Sequence, residues 1–137
     1  MPEPRLKYCL DTNAVSDYLR GVDSVVRQIQ NAKPSALAIS AVTVMELRYG
    51  ETKRQSPRLT AAVNHFLSGI TVIPFDTETA AKAGILCAEM KARGITIALA
   101  DCQIAATALN LKLTMISNDA DIKRVPKLRV LDWRAVK

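Results

Sequence analysis

Short apolar runs alternate with stretches of helical periodicity along this chain, and that alternation limits its possible folds more than any other feature. Lys7 to Leu10, Leu37-Ala-Ile39, Ile70-Thr-Val-Ile73 and Lys112 to Ser117 read as strands, with Arg129 to Leu131 as a last, edge strand. Helical patterns fill the gaps. Asn13 to Arg20 and Val22 to Asn31 are separated by Gly21, and Val22, Val25, Val26 and Ile29 fall on one face of the second. Ser40 caps a helix from Ala41 to about Lys53, and Pro57 opens one through Leu67 that Gly69 ends. Asp76 caps a long helix to Arg93, stopped by Gly94, and an alanine-rich helix runs from Ala98 to Leu111. Strands separated by helices cannot form hairpins, so they pair in parallel and bury both faces under helices. The expectation is an α/β fold in one domain spanning residues 1–137, with helices covering a mostly parallel sheet of about five strands.

At 49% hydrophobic residues the chain can build a real core. No run reaches the roughly 18 uninterrupted apolar residues of a membrane span, since Asp101, Gln103 and Asn110 break the longest one. Met1-Pro2-Glu3-Pro4-Arg5 carries no secretory pattern, so the expected location is the cytoplasm, without membrane attachment. Cys9, Cys87 and Cys102 are odd in number and lack metal-ligand spacing, which favours three reduced core thiols over a disulfide framework or a zinc site. His65 has no second ligand-type partner, so histidine acid/base chemistry is disfavoured. The formal charge is +6, with basic residues grouped around Arg48 to Arg58, Lys82 to Arg93 and Lys112 to Arg129. Such a surface suits a polyanionic partner.

Four acids stand out against this background. Asp11 ends the run Tyr8-Cys9-Leu10, and Glu46 lies between Met45 and Leu47. Asp101 is the single charged residue between Ile95 and Leu111, and Asp119 follows the strand ending at Ser117. An unpartnered carboxylate removed from water is costly, so four in one small domain call for shared compensation. A divalent cation supplies it, and carboxylate-only ligation points to phosphate chemistry. In a parallel sheet with right-handed crossovers, Asp11 and Asp119 follow strands at one edge, and the helix starts carrying Glu46 and Asp101 face that edge. Blander roles compete: Asp11 as a helix cap, Glu46 in a capping box with Thr43, Asp101 as a cap for a helix from Cys102, and Asp119 in a turn where Asp121 is a rival.

Four blocks carry a family resemblance: Leu10-Asp-Thr-Asn13, Ser40-Ala-Val-Thr-Val-Met-Glu-Leu-Arg-Tyr-Gly50, Ala100-Asp-Cys-Gln-Ile-Ala-Ala106 and Ser117-Asn-Asp-Ala-Asp121. The tail Val125 to Trp133 adds to it. In this order the chain resembles a PIN-domain ribonuclease, and specifically a VapC-type toxin of a toxin–antitoxin pair. The resemblance implies a three-layer α/β/α PIN-like fold. It implies an Mg²⁺- or Mn²⁺-dependent endoribonuclease that cuts tRNA or rRNA to leave 5′-phosphate and 3′-hydroxyl ends. Asp11, Glu46 and Asp101 match the family's metal-binding acids and Asp119 its more variable fourth. Asn13, Ser117 and Asn118 match polar positions near the metal, and Asp121 shares the claim of Asp119. The implied partners are a VapB-like antitoxin, an RNA substrate and a second copy in a homodimer, with contact surfaces expected on the first helices and around Arg54 to Phe66. Ala98-Leu99-Ala100 and Ile122 depart from the family's usual residues without touching a ligand position. The rival readings are a catalytically silent RNA- or protein-binding module, and a phosphotransferase with Asp11 as nucleophile, which would want an acid where Asn13 stands.

Overall fold

The computed structural model describes residues 5–135, so the reading of Met1 to Pro4 as lacking a secretory pattern lies outside the described residues. Five strands form one sheet: β1 (Tyr8–Leu10), β2 (Leu37–Ser40), β3 (Thr71–Ile73), β4 (Thr114–Ile116) and β5 (Val130–Leu131). Their order is β3-β2-β1-β4-β5 and every pairing is parallel. The expected edge strand is therefore present, and the sheet is parallel throughout.

Seven helices surround it among the described residues. These are α1 (Thr12–Leu19), α2 (Asp23–Asn31), α3 (Ala41–Arg54), α4 (Pro57–Ser68), α5 (Thr77–Ala92), α6 (Leu99–Asn110) and α7 (Ala120–Lys123). Their boundaries follow local chemistry. Ser40 Oγ accepts from Val42 N at 3.0 Å, Ser56 Oγ from Leu59 N at 3.2 Å, and Asp76 Oδ1 from Thr79 N at 2.9 Å. Each supplies a partner for a helix-start N–H that has none within its helix. Gly94, which follows α5, has φ +75°, a conformation that costs a Cβ-bearing residue far more. Pro34–Ala36 form a 3₁₀ turn before β2, and the segment after Asp119, for which a turn is one of the competing readings, forms the short helix α7.

Strand alternation sorts the core into two faces. Leu10, Ile39 and Ile116 pack with Val15, Val25, Val63 and Phe66, which come from α1, α2 and α4. Cys9, Ala38 and Met115 point the other way, against Ile104 and Ala108 of α6 and Ile122 of α7. Helices thus cover both faces of the sheet, which is the three-layer α/β/α arrangement. Small side chains let α6 lie close to its neighbours, with Ala105, Ala106 and Ala108 buried. No helix among the described residues is long and apolar enough to cross a membrane.

The fold adds one feature to the thiols. Cys87 of α5 and Cys102 of α6 come side by side, with Cα atoms 6.3 Å apart, while Cys9 stays apart and buried. Sequence spacing misses this pair because α5 and α6 meet only in the tertiary fold. Burial, with the nearby Asp11 charge adding to it, pushes the Cys9 thiol up to about 12, so it remains protonated core material.

Candidate active site

The chain runs β1, β2, β3 in one direction across the sheet, then returns to place β4 on the other side of β1. That reversal opens a crevice beyond the carboxyl ends of β1 and β4, the usual ligand position in such sheets. Asp11 follows β1 directly, and its backbone N–H donates to Ile116 O of β4 at 2.9 Å. Asp119 caps α7 just beyond β4. Glu46 comes from α3 and Asp101 from the first turn of α6.

Hydroxyls organise the acids. Asp11 is buried, with Oδ1 accepting from Thr12 N and Oδ2 from Ser117 Oγ, each at 2.8 Å. Ser117 Oγ in turn accepts from Asp119 N at 3.0 Å. One serine therefore ties the first acid to the backbone of the fourth. Thr12 Oγ1 donates to Glu46 Oε1 at 2.5 Å and lies 3.2 Å from Thr43 Oγ1, which links α1 to α3. Thr12 thus touches two of the acids, a role the sequence reading does not assign. Its signal was present in the Asp-Thr-Asn block, as a hydroxyl directly after the buried acid.

The acids raise one another's proton affinity. Burial, followed by the charges of Asp11, Asp119, Glu46 and Asp121, pushes the Asp101 carboxyl up to about 6. Asp11 is raised as well, by burial first and then by Asp119 and Glu46, against the lowering effect of its bonds to Ser117 and Thr12. The Asp101 carboxylate makes no hydrogen bond or ion pair among the described residues, and as α6 starts at Leu99 it is not the cap of that helix. Asp11 and Asp119 do both serve as caps. Asp119 bears on both Asp11 and Asp101, whereas Asp121 bears on Asp101 alone and pairs with Arg124 at 3.5 Å.

Two parts of the expected picture differ. Of the four acids only Asp11 is buried; Glu46, Asp101 and Asp119 are half-buried and open toward the crevice edge. The buried acids that the sequence did not single out are Asp17 and Glu51. Each has an arginine partner: Arg134 and Arg20 on Asp17, and Arg48 on Glu51, with nearest contacts of 2.6 Å. Asn118, with its amide oxygen turned to Arg134, accepts from Nε at 3.2 Å and Nη1 at 3.0 Å, so it supports that ion pair. Asn13 is exposed on α1.

No group of three or more acid, histidine or cysteine side chains among the described residues is gathered tightly enough to enclose a metal ion. Glu46 is held by Thr12 and Asp119 by its cap. The donor chemistry nevertheless suits a hard cation: the converging side chains are all oxygen donors and mutually repelling. This is a partly open cluster of acids at the carboxyl ends of β1 and β4.

The PIN domain family model matches residues 8–128. This chain is a PIN-domain protein of the VapC family. Among curated relatives it is 33% identical over 130 residues to the tRNA(fMet)-specific endonuclease VapC of Salmonella typhimurium, covering 93% of this chain and 98% of that one. It is 36% identical over 132 residues to ribonuclease VapC2 of Haemophilus influenzae, with the same coverage of each. Among solved structures, a chain in the DNA-bound VapBC complex from Salmonella typhimurium superposes with a TM-score of 0.87 at 33% identity, covering 93% of this chain and 98% of that one.

Proposed function

We propose that this chain is an endoribonuclease of the toxin type, one PIN-like domain over residues 1–137, that hydrolyses RNA phosphodiesters, with tRNA as the favoured class. The observation that carries the reading is the four-acid crevice at the sheet's switch point, in a chain whose relatives are named as tRNA(fMet)-specific endonuclease and ribonuclease. Asp11 and Asp101 would hold Mg²⁺ or Mn²⁺, with Glu46 and Asp119 completing the site directly or through water. When bound, the cation supplies an activated water and neutralises charge on the phosphate and the leaving 3′ oxygen.

The chain's own residues do the positioning. Ser117 donates to Asp11 Oδ2 and fixes its rotamer, so the carboxylate is aimed before any ligand arrives. Thr12 holds Glu46 in the same way. The raised proton affinity of Asp101 would oppose loading below about pH 6, where the proton competes with the cation for that carboxyl. Asp121 would lie at the margin of the site, and Asn13, exposed on α1, would be free to contact substrate.

A VapB-like antitoxin is the proposed regulator, since similar solved structures are VapBC complexes. A cavity of about 280 Å³ lined by Tyr18, Ile29, Leu37, Phe66 and Ile70 is an apolar seat for it, on the first helices and α4. A homodimer is proposed through the outer face of α3, where Met45 and Tyr49 are 56% and 66% exposed beside Glu46. The location expected is cytoplasmic.

The test is cleavage of tRNA by Asp11→Asn and Asp101→Asn proteins with Mg²⁺. Both variants should stay folded and lose cleavage. Retained cleavage in either, free of contaminating nuclease, would overturn the assignment. The silent binding module predicts instead that wild type itself shows no metal-dependent cleavage.

A further inference from the structure

The edge of the sheet opposite the acids carries the reverse charge. Arg5 and Lys7 lead into β1, Lys33 precedes the turn into β2, Lys112 leads into β4, and Lys127 and Arg129 lead into β5. All six are exposed. The register brings them together: Tyr8 pairs with both Leu37 and Thr114, and Met115 pairs with Val130, so the residues before these strands lie side by side along one edge. The carbonyls of Lys7 and Arg129 accept from Thr114 N and Met115 N, which anchors their backbones firmly. Lys112 and Lys127 have φ of 56° and 66°, turn positions where glycine or asparagine would be easier, yet the chain places cations there.

None of the six makes an ion pair among the described residues. The bases that do, Arg20, Arg48, Lys82, Lys123, Arg124 and Arg134, all lie elsewhere. Between Arg5, Lys7 and Lys33 opens a cavity of about 660 Å³ whose floor is Tyr8 and Trp133 and whose lining includes no carboxylate. Exposed cations without ion-pair partners among the described residues, three of them lining an acid-free hollow, are suited to phosphates.

We infer that this amino-terminal sheet edge is a second RNA-binding surface, which grips the phosphate backbone of a folded RNA away from the bond being cut. It rests on the reading of the chain as an RNA endonuclease. RNA is favoured over duplex DNA because RNA is the substrate proposed for the acid edge, and the two edges are close. The strands are two to four residues long, so the two edges are only about 7–13 Å apart at the usual rise per residue. A folded RNA is large against that distance, so one seated at the acids can also reach the basic edge. The like-charged acid crevice repels phosphates unless a cation is bound. The basic edge would supply affinity and the acid edge chemistry.

The test is binding of fluorescently labelled tRNA in EDTA, where cleavage cannot contribute. Wild type is compared with Lys7→Glu/Lys33→Glu and with a control of equal charge change, Lys53→Glu/Lys82→Glu, whose lysines lead no strand. The edge variant should bind tRNA about tenfold more weakly, and the dependence of log affinity on log salt should flatten by about 1 to 2. The control should lose less than about threefold. Lys7→Gln/Lys33→Gln should show the same direction at about threefold, and serves if the glutamate pair fails to fold. Equal losses in both pairs, no loss in the edge pair, no tRNA binding by wild type, or a loss confined to a duplex DNA probe would each overturn the inference. Binding that persists while Mg²⁺ brings no cleavage would instead sink the nuclease reading and leave the RNA surface standing.

Discussion

Asp11 and Asp17 are both 2% exposed, and both belong to α1 and its cap, yet the protein treats them in opposite ways. Arg134 reaches Asp17 through two contacts of 2.6 Å and Arg20 adds a third. Burial alone would push the Asp17 carboxyl up, but the bonds and charges of the two arginines together outweigh it and hold the group below the usual carboxylate range. Asp11 receives a hydroxyl and an N–H but no cation, and carboxylates face it instead. A buried acid neutralised from within is part of the scaffold. A buried acid left among other acids is prepared for a cation from outside.

The largest effect that could break this contrast lies in catalysis. Asp11→Asn should reduce tRNA cleavage by at least about a thousandfold, because metal-assisted phosphate chemistry is worth several kcal/mol in the transition state. The same change should leave the thermal midpoint within a few degrees of wild type. Cleavage within tenfold of wild type would contradict the account.

The scaffold acid predicts the reverse pattern. Arg134→Ala should lower the midpoint by about 5 °C, since it strips a buried carboxylate of its bidentate partner in a domain of this size. Cleavage measured well below the new midpoint should change little. A large loss of activity without loss of stability would place Arg134 in the reaction instead.

The pH dependence should separate the two acids further. Asp101, raised to about 6 when folded against 3.8 ordinarily, binds its proton more tightly in the folded state. In the metal-free protein its contribution is therefore complete below about pH 4 and declines as pH rises through about 6. Asp17, lowered when folded, contributes stability above its ordinary range that is lost on acidification. Melting curves from pH 4 to pH 7.5, in EDTA, should show Asp101→Asn removing a decline across pH 4–6. A profile unchanged by that substitution would contradict the shift.

Much of this was legible in the chain. The strand and helix order follows from periodicity, and the caps at Ser40 and Asp76 and the stop at Gly94 follow from backbone chemistry that needs no tertiary information. The four acids could be placed at one edge because parallel topology fixes where strands end. What could not be read was pairing across the fold. Asp17 and Arg134 are joined by tertiary packing alone, so nothing near Asp17 announces its partner. The proximity of Cys87 to Cys102 and the half-exposure of Glu46, Asp101 and Asp119 were hidden for the same reason. Apolar neighbours in sequence indicate a helix that packs somewhere, not which way one of its side chains faces.

A smaller effect sharpens the picture of how the acids are aimed. Thr12→Val removes the hydroxyl that holds Glu46 and keeps the backbone N–H that Asp11 accepts. It should cost about tenfold in cleavage, in line with loss of an outer-shell partner, and shift the midpoint little. Thr12→Ser should restore most of the activity. Equal activity in all three proteins would remove Thr12 from the site.

The central claim is that the acid crevice is completed by a divalent cation. Its most direct measurement is the thermal midpoint of wild type and Asp101→Asn as Mn²⁺ is added at pH 7.5. Wild type should be stabilised progressively, by about 2.7 kcal/mol when the free ion reaches a hundred times its dissociation constant. Asp101→Asn should start at an equal or higher midpoint and respond weakly. A wild-type midpoint indifferent to Mn²⁺, or an equal response in both proteins, would contradict the account.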